Sequence, residues 1–374
     1  MASVDFTVEY FEPTAVEAEP LPEEFSASRL RKSLLILGAV AVAVVAVVVL
    51  VPGLASLRDS FRGAEPGWLA VAALLQVLSC ASYVLAFRAV FCQRMSWRTS
   101  AEIGLSELGA NSVLSVGGAG GLALGAWILR RGGVDAGHIA RRTVAFFLLT
   151  SLVNVGFLAL GGVALATGVL PGSPSLLLGL IPAIAAVVAV AAALATRSLA
   201  GAIAQRTERE RVEKVLRTVA EGVEEALELL RSGDPKILFG AAGYMLFDVT
   251  MLGVSFTAFG NPVPPVGVLL LAYIIGLLGG LIPIPGGLGG VDGGLIGTLV
   301  IYGVDAGDAA VAVIAYRGLV LAIPALLGLP ALAILRRRLR TEAHDIAACT
   351  PGQEVEVLGR GAVSVWEPAG QQEC

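Results

Sequence analysis

Asp292 and Arg317 are the residues in this chain best placed to do chemistry, because each sits where nearly every neighbour is apolar. Asp292 lies within GLLGGLIPIPGGLGGVDGGLIG (276–297), and Arg317 follows Tyr316 inside the apolar run 306–335. An ionisable side chain at hydrocarbon depth costs roughly 2.5–3.5 kcal/mol on insertion scales, so it is kept for pairing or for binding. Asp248, one turn after Tyr244, and Glu107, one turn before Asn111, break other apolar stretches in the same way. A buried guanidinium can grip phosphate with two hydrogen bonds, and a carboxylate beside it can orient it or read a cationic or hydroxyl group. The candidate substrate-binding residues are therefore Asp292, Arg317, Tyr316, Asp248, Glu107 and Asn111. A purely structural pairing of Asp248 or Asp292 with Arg317 stays open beside that reading.

Nothing else in the chain points to catalysis. No DxD-type carboxylate cluster, catalytic histidine, nucleotide-binding glycine loop or ATPase motif stands out, so no catalytic residue, metal or cofactor is assigned. His138 and His344 are isolated, and Cys80, Cys92, Cys349 and Cys374 lack zinc-like spacing; neither a disulfide framework nor a metal site is expected.

These residues need elements to position them, and composition names the solvent of those elements. With 56% hydrophobic and 15% charged residues and a mean hydropathy of +0.81, the chain reads as an all-α polytopic membrane protein, not a nucleic-acid binder. Six spans follow from hydropathy, at about 33–54, 67–91, 138–167, 174–196, 236–259 and 306–335. Basic residues gather at Arg29, Arg31, Lys32, Arg94, Arg98, Arg130, Arg131, Arg141 and Arg142, through the connector 197–236, and at 336–340. The intervening loops are nearly free of them, which predicts cytoplasmic termini.

That orientation constrains two glycine-rich segments. Segment 101–131 must enter and leave from inside, and 264–302 from outside. Residues 101–113 supply only about 20 Å of helix, too short to span, so each segment is expected to be a re-entrant hairpin. The tips would be Gly117, Gly118, Gly120 and Gly121 in one and Pro283, Pro285, Gly286, Gly287, Gly289 and Gly290 in the other. Irregular backbone at such depth is tolerated only when buried in protein or lining a wet cavity.

The two segments also look alike. Gly117 to Gly121 (GGAGG) reappears as Gly286 to Gly290 (GGLGG), an offset of 169, and GVDAG at 133 reappears at 303, an offset of 170. Two matched motifs in the same order imply a duplication, with repeats at 29–167 and 174–340. The first starts inside and the second outside, so the repeats are inverted, an arrangement that places substrate sites at the repeat interface. Residues 198–235 carry Val212, Leu216, Val219, Val223, Leu227 and Leu230 at helical spacing, which predicts an amphipathic helix on the cytoplasmic membrane face or against the protein. Residues 1–28 read as a disordered acidic tail and 341–374 as a mostly unstructured polar tail.

PIPGGLGGVDGG followed by AYRGLVLAIPALLG is similar to the second half of the flippase-like transmembrane domain family. That family is best known as the membrane domain of lysylphosphatidylglycerol synthetase and its stand-alone relatives. Its hairpin, acid and Tyr-Arg pair fall on Pro285, Gly286, Gly287, Leu288, Gly289, Asp292, Tyr316 and Arg317, and the resemblance covers about 33–340. The family commonly has Glu where this chain has Asp292, and the tip SVGGAGG lacks the charged pattern often found there. The resemblance implies translocation of a lipid across a bacterial inner membrane, and no soluble aminoacyl-transferring domain is expected after 340.

Three functions fit these features. A flippase or transporter for an anionic phospholipid or an isoprenoid-phosphate-linked glycolipid uses the inverted repeats and the mid-membrane charges. A membrane-embedded transferase acting on a lipid carrier would need a general base and usually a metal. A non-catalytic subunit would dock on a membrane or cytoplasmic protein partner through 198–235. The first is the expectation here; oligomeric state is left open.

Overall fold

The computed structural model describes residues 55–113, 119–170, 210–279 and 289–347, with Cys349 and scattered positions in 35–38 and 177–188. Among these residues there is no strand. The helices are α1 (Ala55–Arg62), α2 (Pro66–Phe91), α3 (Trp97–Val113), α4 (Ala119–Arg131), α5 (Ala136–Ala166), α6 (Glu210–Arg231), α7 (Pro235–Ala258), α8 (Val266–Leu278), α9 (Gly290–Ile301) and α10 (Ala306–Ala347). Four of them, α2, α5, α7 and α10 over Ala306–Arg338, are long and apolar enough to cross a bilayer. They fall on the runs expected at 67–91, 138–167, 236–259 and 306–335. Large apolar side chains face outward, among them Phe239 at 72%, Leu160 at 70% and Leu326 at 70% exposure, a surface suited to lipid and not to water. The chain is an all-α multi-pass membrane protein. The expected tail 1–28 and span 33–54, most of span 174–196, and the tip residues Gly117, Gly118, Pro283, Pro285, Gly286 and Gly287 lie outside the described residues.

Helix starts follow local chemistry. Pro66 and Pro235 occupy first-turn positions, where a missing N–H costs nothing. Asp234 caps α7 by accepting from Lys236 N at 3.0 Å, and Asp135 caps α5 by accepting from His138 N at 2.9 Å. That last bond holds the Asp135 carboxyl below its usual range.

GVDAG does the same structural job twice. Gly133 and Gly303 adopt left-handed backbone, at φ 93° and 89°. Val134 N donates to Leu129 O at 3.1 Å, and Val304 N donates to Leu299 O at 3.0 Å. Asp135 and Asp305 then each accept from first-turn N–H groups of the following long helix. A Cβ at Gly303 meets open space, so the cost of Gly303→Ala is conformational alone. It should lower stability by about 1–2 kcal/mol in a detergent thermal melt. Gly303→Asn should recover part of that loss, because Asn enters the left-handed region more readily.

The long helices carry two cores at opposite ends. One joins α3 and α4 to the later part of α2, the early part of α5 and Leu332, Leu335 and Ile346 of α10. The other joins α8 and α9 to Ala72 of α2, the later part of α5, the middle and end of α7 and the start of α10. The first core lies at the arginine-rich end of the bundle and the second at the other. Between them, α2 and α7 pack through small residues: a Cβ on Gly240 would come within 2.6 Å of Ala86 N, and one on Gly243 within 2.7 Å of Ser82 Oγ.

The structure corrects one expectation and extends one helix beyond its expected end. Cys92 and Cys349 form a disulfide with Cα atoms 5.5 Å apart, where none was expected; their separation of 257 residues hid the pairing. Helix α10 continues past 340 to Ala347, because Ile346 is fully buried against the α4 end, where a Cβ on Gly132 would meet it. The segment after 340 is thus structured through Ala347. Helix α6 lies along α5, with Glu225 bonded to Arg142 at 2.9 Å and Glu221 to Arg141 at 3.6 Å.

Candidate functional site

Asp292 occupies the first turn of α9, directly after Gly289, whose left-handed backbone (φ 82°) opens the helix. Its two oxygens have separate tasks. Oδ2 accepts from Gly289 N at 2.8 Å, which closes the helix start on itself. Oδ1 accepts from Arg317 Nε at 2.7 Å, which ties α9 to the middle of α10. The arginine side chain is 11% exposed and the aspartate 24%, so the pair is largely withdrawn from solvent. Helix termini and ion pairs of this kind hold charge where solvent does not.

Tyr316 is buried beside Arg317, within electrostatic reach of Asp292 and Asp248. Asp248, on α7, is only 4% exposed; its Oδ2 accepts from Tyr273 of α8 at 3.2 Å, and the Ser79 hydroxyl of α2 stands beside the carboxyl. Four of the sequence-derived residues, Asp292, Arg317, Tyr316 and Asp248, therefore converge around the α7–α8–α9–α10 contact. Asp248 does not pair with Arg317: Asp292 takes that role.

Glu107 and Asn111 belong to a second polar group around α3 and α4. Glu107 is 1% exposed, and its Oε2 accepts from Tyr83 of α2 at 2.8 Å. Its other oxygen lies against α4 at Gly125, where a Cβ would fall 1.5 Å from Oε1, so glycine is what makes room for the carboxyl. Asn111 accepts from Gly121 N at 2.7 Å. Gly120 is buried in the first turn of α4, and Gly290 opens α9. The ring of Tyr83 lies 5.5 Å from that of Tyr244, which stands one turn before Asp248 and so bridges the two groups.

Sequence reasoning missed Tyr83 and Tyr273, the donors to the two buried acids. A signal for the first existed: Gln76, Ser79 and Tyr83 recur on one side of α2, all buried within an apolar helix. Tyr273 had no such company. Arg141 and Arg142, read from charge as topology markers, also hold α6 in place. A cavity of about 450 Å³ between α4, α5 and α6, bordered by Trp127, Arg130, Ile139 and Thr218, shares no residue with either polar group. Among the described residues no cluster of His, Cys, Asp and Glu could hold a metal ion.

Two short helix pairs thus sit in two cores, and an acid at the start of α9 is ion-paired to the Tyr-Arg dipeptide of α10. No curated protein matches the chain. A family model does, that of the lysylphosphatidylglycerol synthase TM region, over residues 36–328. The chain therefore belongs to that family of membrane regions, which relates it to lipid modification or transport.

Proposed function

We propose that the protein is a lipid flippase that carries an anionic phospholipid or an isoprenoid-phosphate-linked glycolipid across the bacterial inner membrane, making and breaking no covalent bond. The observation that carries this reading is the Asp292–Arg317 pair, held at 2.7 Å inside apolar helices. In a setting with little competing water, a guanidinium binds phosphate far more strongly than it does at a wet surface. All the lipids considered carry phosphate. Asp292 orients the guanidinium and stands beside whatever hydroxyl or amine the head group adds.

In this reading the arginine-rich end faces the cytoplasm, with both termini there. The α3/α4 and α8/α9 pairs enter from opposite sides as the hairpins of inverted repeats, and the head group passes between them. That orientation puts the Cys92–Cys349 bond on the cytoplasmic face, where disulfides are ordinarily transient. Helix α6 uses its buried Val223 and Ala226 within this chain, which favours a self-contained transporter over a subunit that docks through that helix.

The test is lipid movement in proteoliposomes. Labelled phosphatidylglycerol, its lysyl form or an isoprenoid-phosphate sugar should change leaflet faster with protein than without, and Arg317→Gln should slow it about tenfold or more. Equal rates with and without protein for all three lipids overturn the reading.

A further inference from the structure

The described residues hold a buried acid–tyrosine hydrogen bond in each half of the molecule. Tyr83 of α2 donates to Glu107 of α3 at 2.8 Å, and Tyr273 of α8 donates to Asp248 of α7 at 3.2 Å. Each bond joins a long spanning helix to the first helix of the short pair that follows it in sequence. Donor and acceptor are exchanged between the halves. Glycine marks the corresponding place in both: Gly125 faces Glu107, and Gly294, at the repeat offset of 169, faces Gly276.

Neither acid takes part in an ion pair among the described residues; Arg317, the cation nearest to Asp248 in the spanning helices, is bonded to Asp292. The groups facing Asp248 are Cys80 from α2, Tyr244 from its own helix, Tyr273 from α8 and Tyr316 from α10, with Arg317 and Asp292 behind that tyrosine. The Ser79 hydroxyl also stands beside Asp248, and it lies 3.1 Å from Tyr244 O, to which it can donate. Facing Glu107 are Tyr83 from α2, with Tyr244 beyond it, and Gly121 and Gly125 from α4. On α10 the helix crosses nearby through Gly328 against Gly109.

A carboxylate stripped of water, with only neutral hydroxyls for company, is far less stable than the carboxylic acid. Glutamine and asparagine would serve the same tyrosines without that difficulty. Asp248 is 4% exposed, and only the hydroxyls of Tyr273 and Ser79 stand beside its oxygens, so no cation there balances a charge. Acids kept in such places mark substrate, ion or proton pathways.

We propose that Glu107 and Asp248 are the proton-carrying groups of a proton-coupled lipid transport cycle. Each holds its proton while its tyrosine bond is closed and releases it to water when the short helices swing away and that bond opens. The step is a simple acid dissociation, with the proton passing to water and no redox partner required. Because the two bonds sit in the two opposed cores, opening one and then the other exposes the acids to opposite sides in turn. The proposal rests on the transport reading above and adds its energy source.

The test uses purified full-length protein in vesicles containing the pH dye pyranine and labelled phosphatidylglycerol. A gradient of about one pH unit should shift the lipid's distribution between leaflets about tenfold per coupled proton, with matching dye-reported proton flux. Glu107→Gln and Asp248→Asn should each remove the gradient response. In detergent, without any lipid movement, wild-type protein should show a protonated-carboxyl C=O stretching band at neutral pH that these substitutions remove. Lipid movement that ignores the gradient and carries no protons overturns the coupling while leaving the flippase reading standing. No movement of any lipid overturns both. A full gradient response in both variants, or an infrared spectrum showing only ionised carboxylates, also sinks the proposal, and the wild-type arms decide it should the variants fail to fold.

Discussion

Replacing Arg317 with Gln should abolish lipid movement and sharply lower the yield of folded protein, and Asp292→Asn should do much the same. Removing one partner of a buried ion pair leaves a charge uncompensated and costs about 3–5 kcal/mol, and the partial exposure of this pair puts the cost toward the lower figure. The two single variants differ in detail. With Arg317 gone, Asp292 still accepts from Gly289 N, so part of its charge remains hydrogen-bonded. With Asp292 neutralised, the guanidinium stays in the middle of an apolar helix without its carboxylate. The double variant should recover most of the folded yield, because no lone charge remains, but it should stay inactive, because the phosphate ligand is gone. Folded yield is read by gel filtration in detergent and transport in the vesicle assay. A double variant that regains both yield and transport identifies a structural bridge and removes Arg317 from the head-group site.

Gly328→Leu should abolish the fold outright. A Cβ at that position would come within 2.2 Å of Leu105 O and 2.7 Å of Gly109 Cα, and these are backbone atoms that no rotamer change can move aside. Overpacking commonly costs about 1–3 kcal/mol where side chains can yield, and a clash between two helix backbones exceeds that range. The crossing also matters to the site, because α10 carries Arg317 on one side of it and Ile346 on the other. Gly297 is a matched control: its Cβ would meet nothing within 4 Å, and Gly297→Leu should melt within about 0.5 kcal/mol of wild type. A monodisperse Gly328→Leu protein with an unchanged melting profile contradicts so close a crossing of α3 and α10.

Much of the site is legible in the order of the residues. Isolated charges in apolar runs single out Asp292 and Arg317, since lipid penalises charge so heavily that its presence is a signal in itself. The four spanning helices follow from length and hydropathy, and the recurrence of GVDAG follows from the need for a left-handed glycine and a capping acid at both helix entrances. The preference for Asp292 over Asp248 as the partner of Arg317 is not legible there. It depends on α9 beginning at Gly290, so that the first-turn carboxylate points at α10.

By itself, the sequence determined which solvent the chain lives in, that α2, α5, α7 and α10 are long and apolar enough to cross it, which end is basic and which charges are out of place. Only the tertiary structure decided that Cys92 meets Cys349, that Tyr83 and Tyr273 hold the two buried acids, that Glu221 and Glu225 bind Arg141 and Arg142, and that α10 runs on to Ala347. The reason is the membrane itself. In water, a helix advertises its buried side by being apolar on that side alone. In lipid, the outward side is apolar too, and helices recognise one another through small residues and hydrogen bonds whose partners lie far away in the chain. The pattern that would name a neighbour is therefore absent from the sequence, and only the packing of α2 on α7 and of α3 on α10 supplies it.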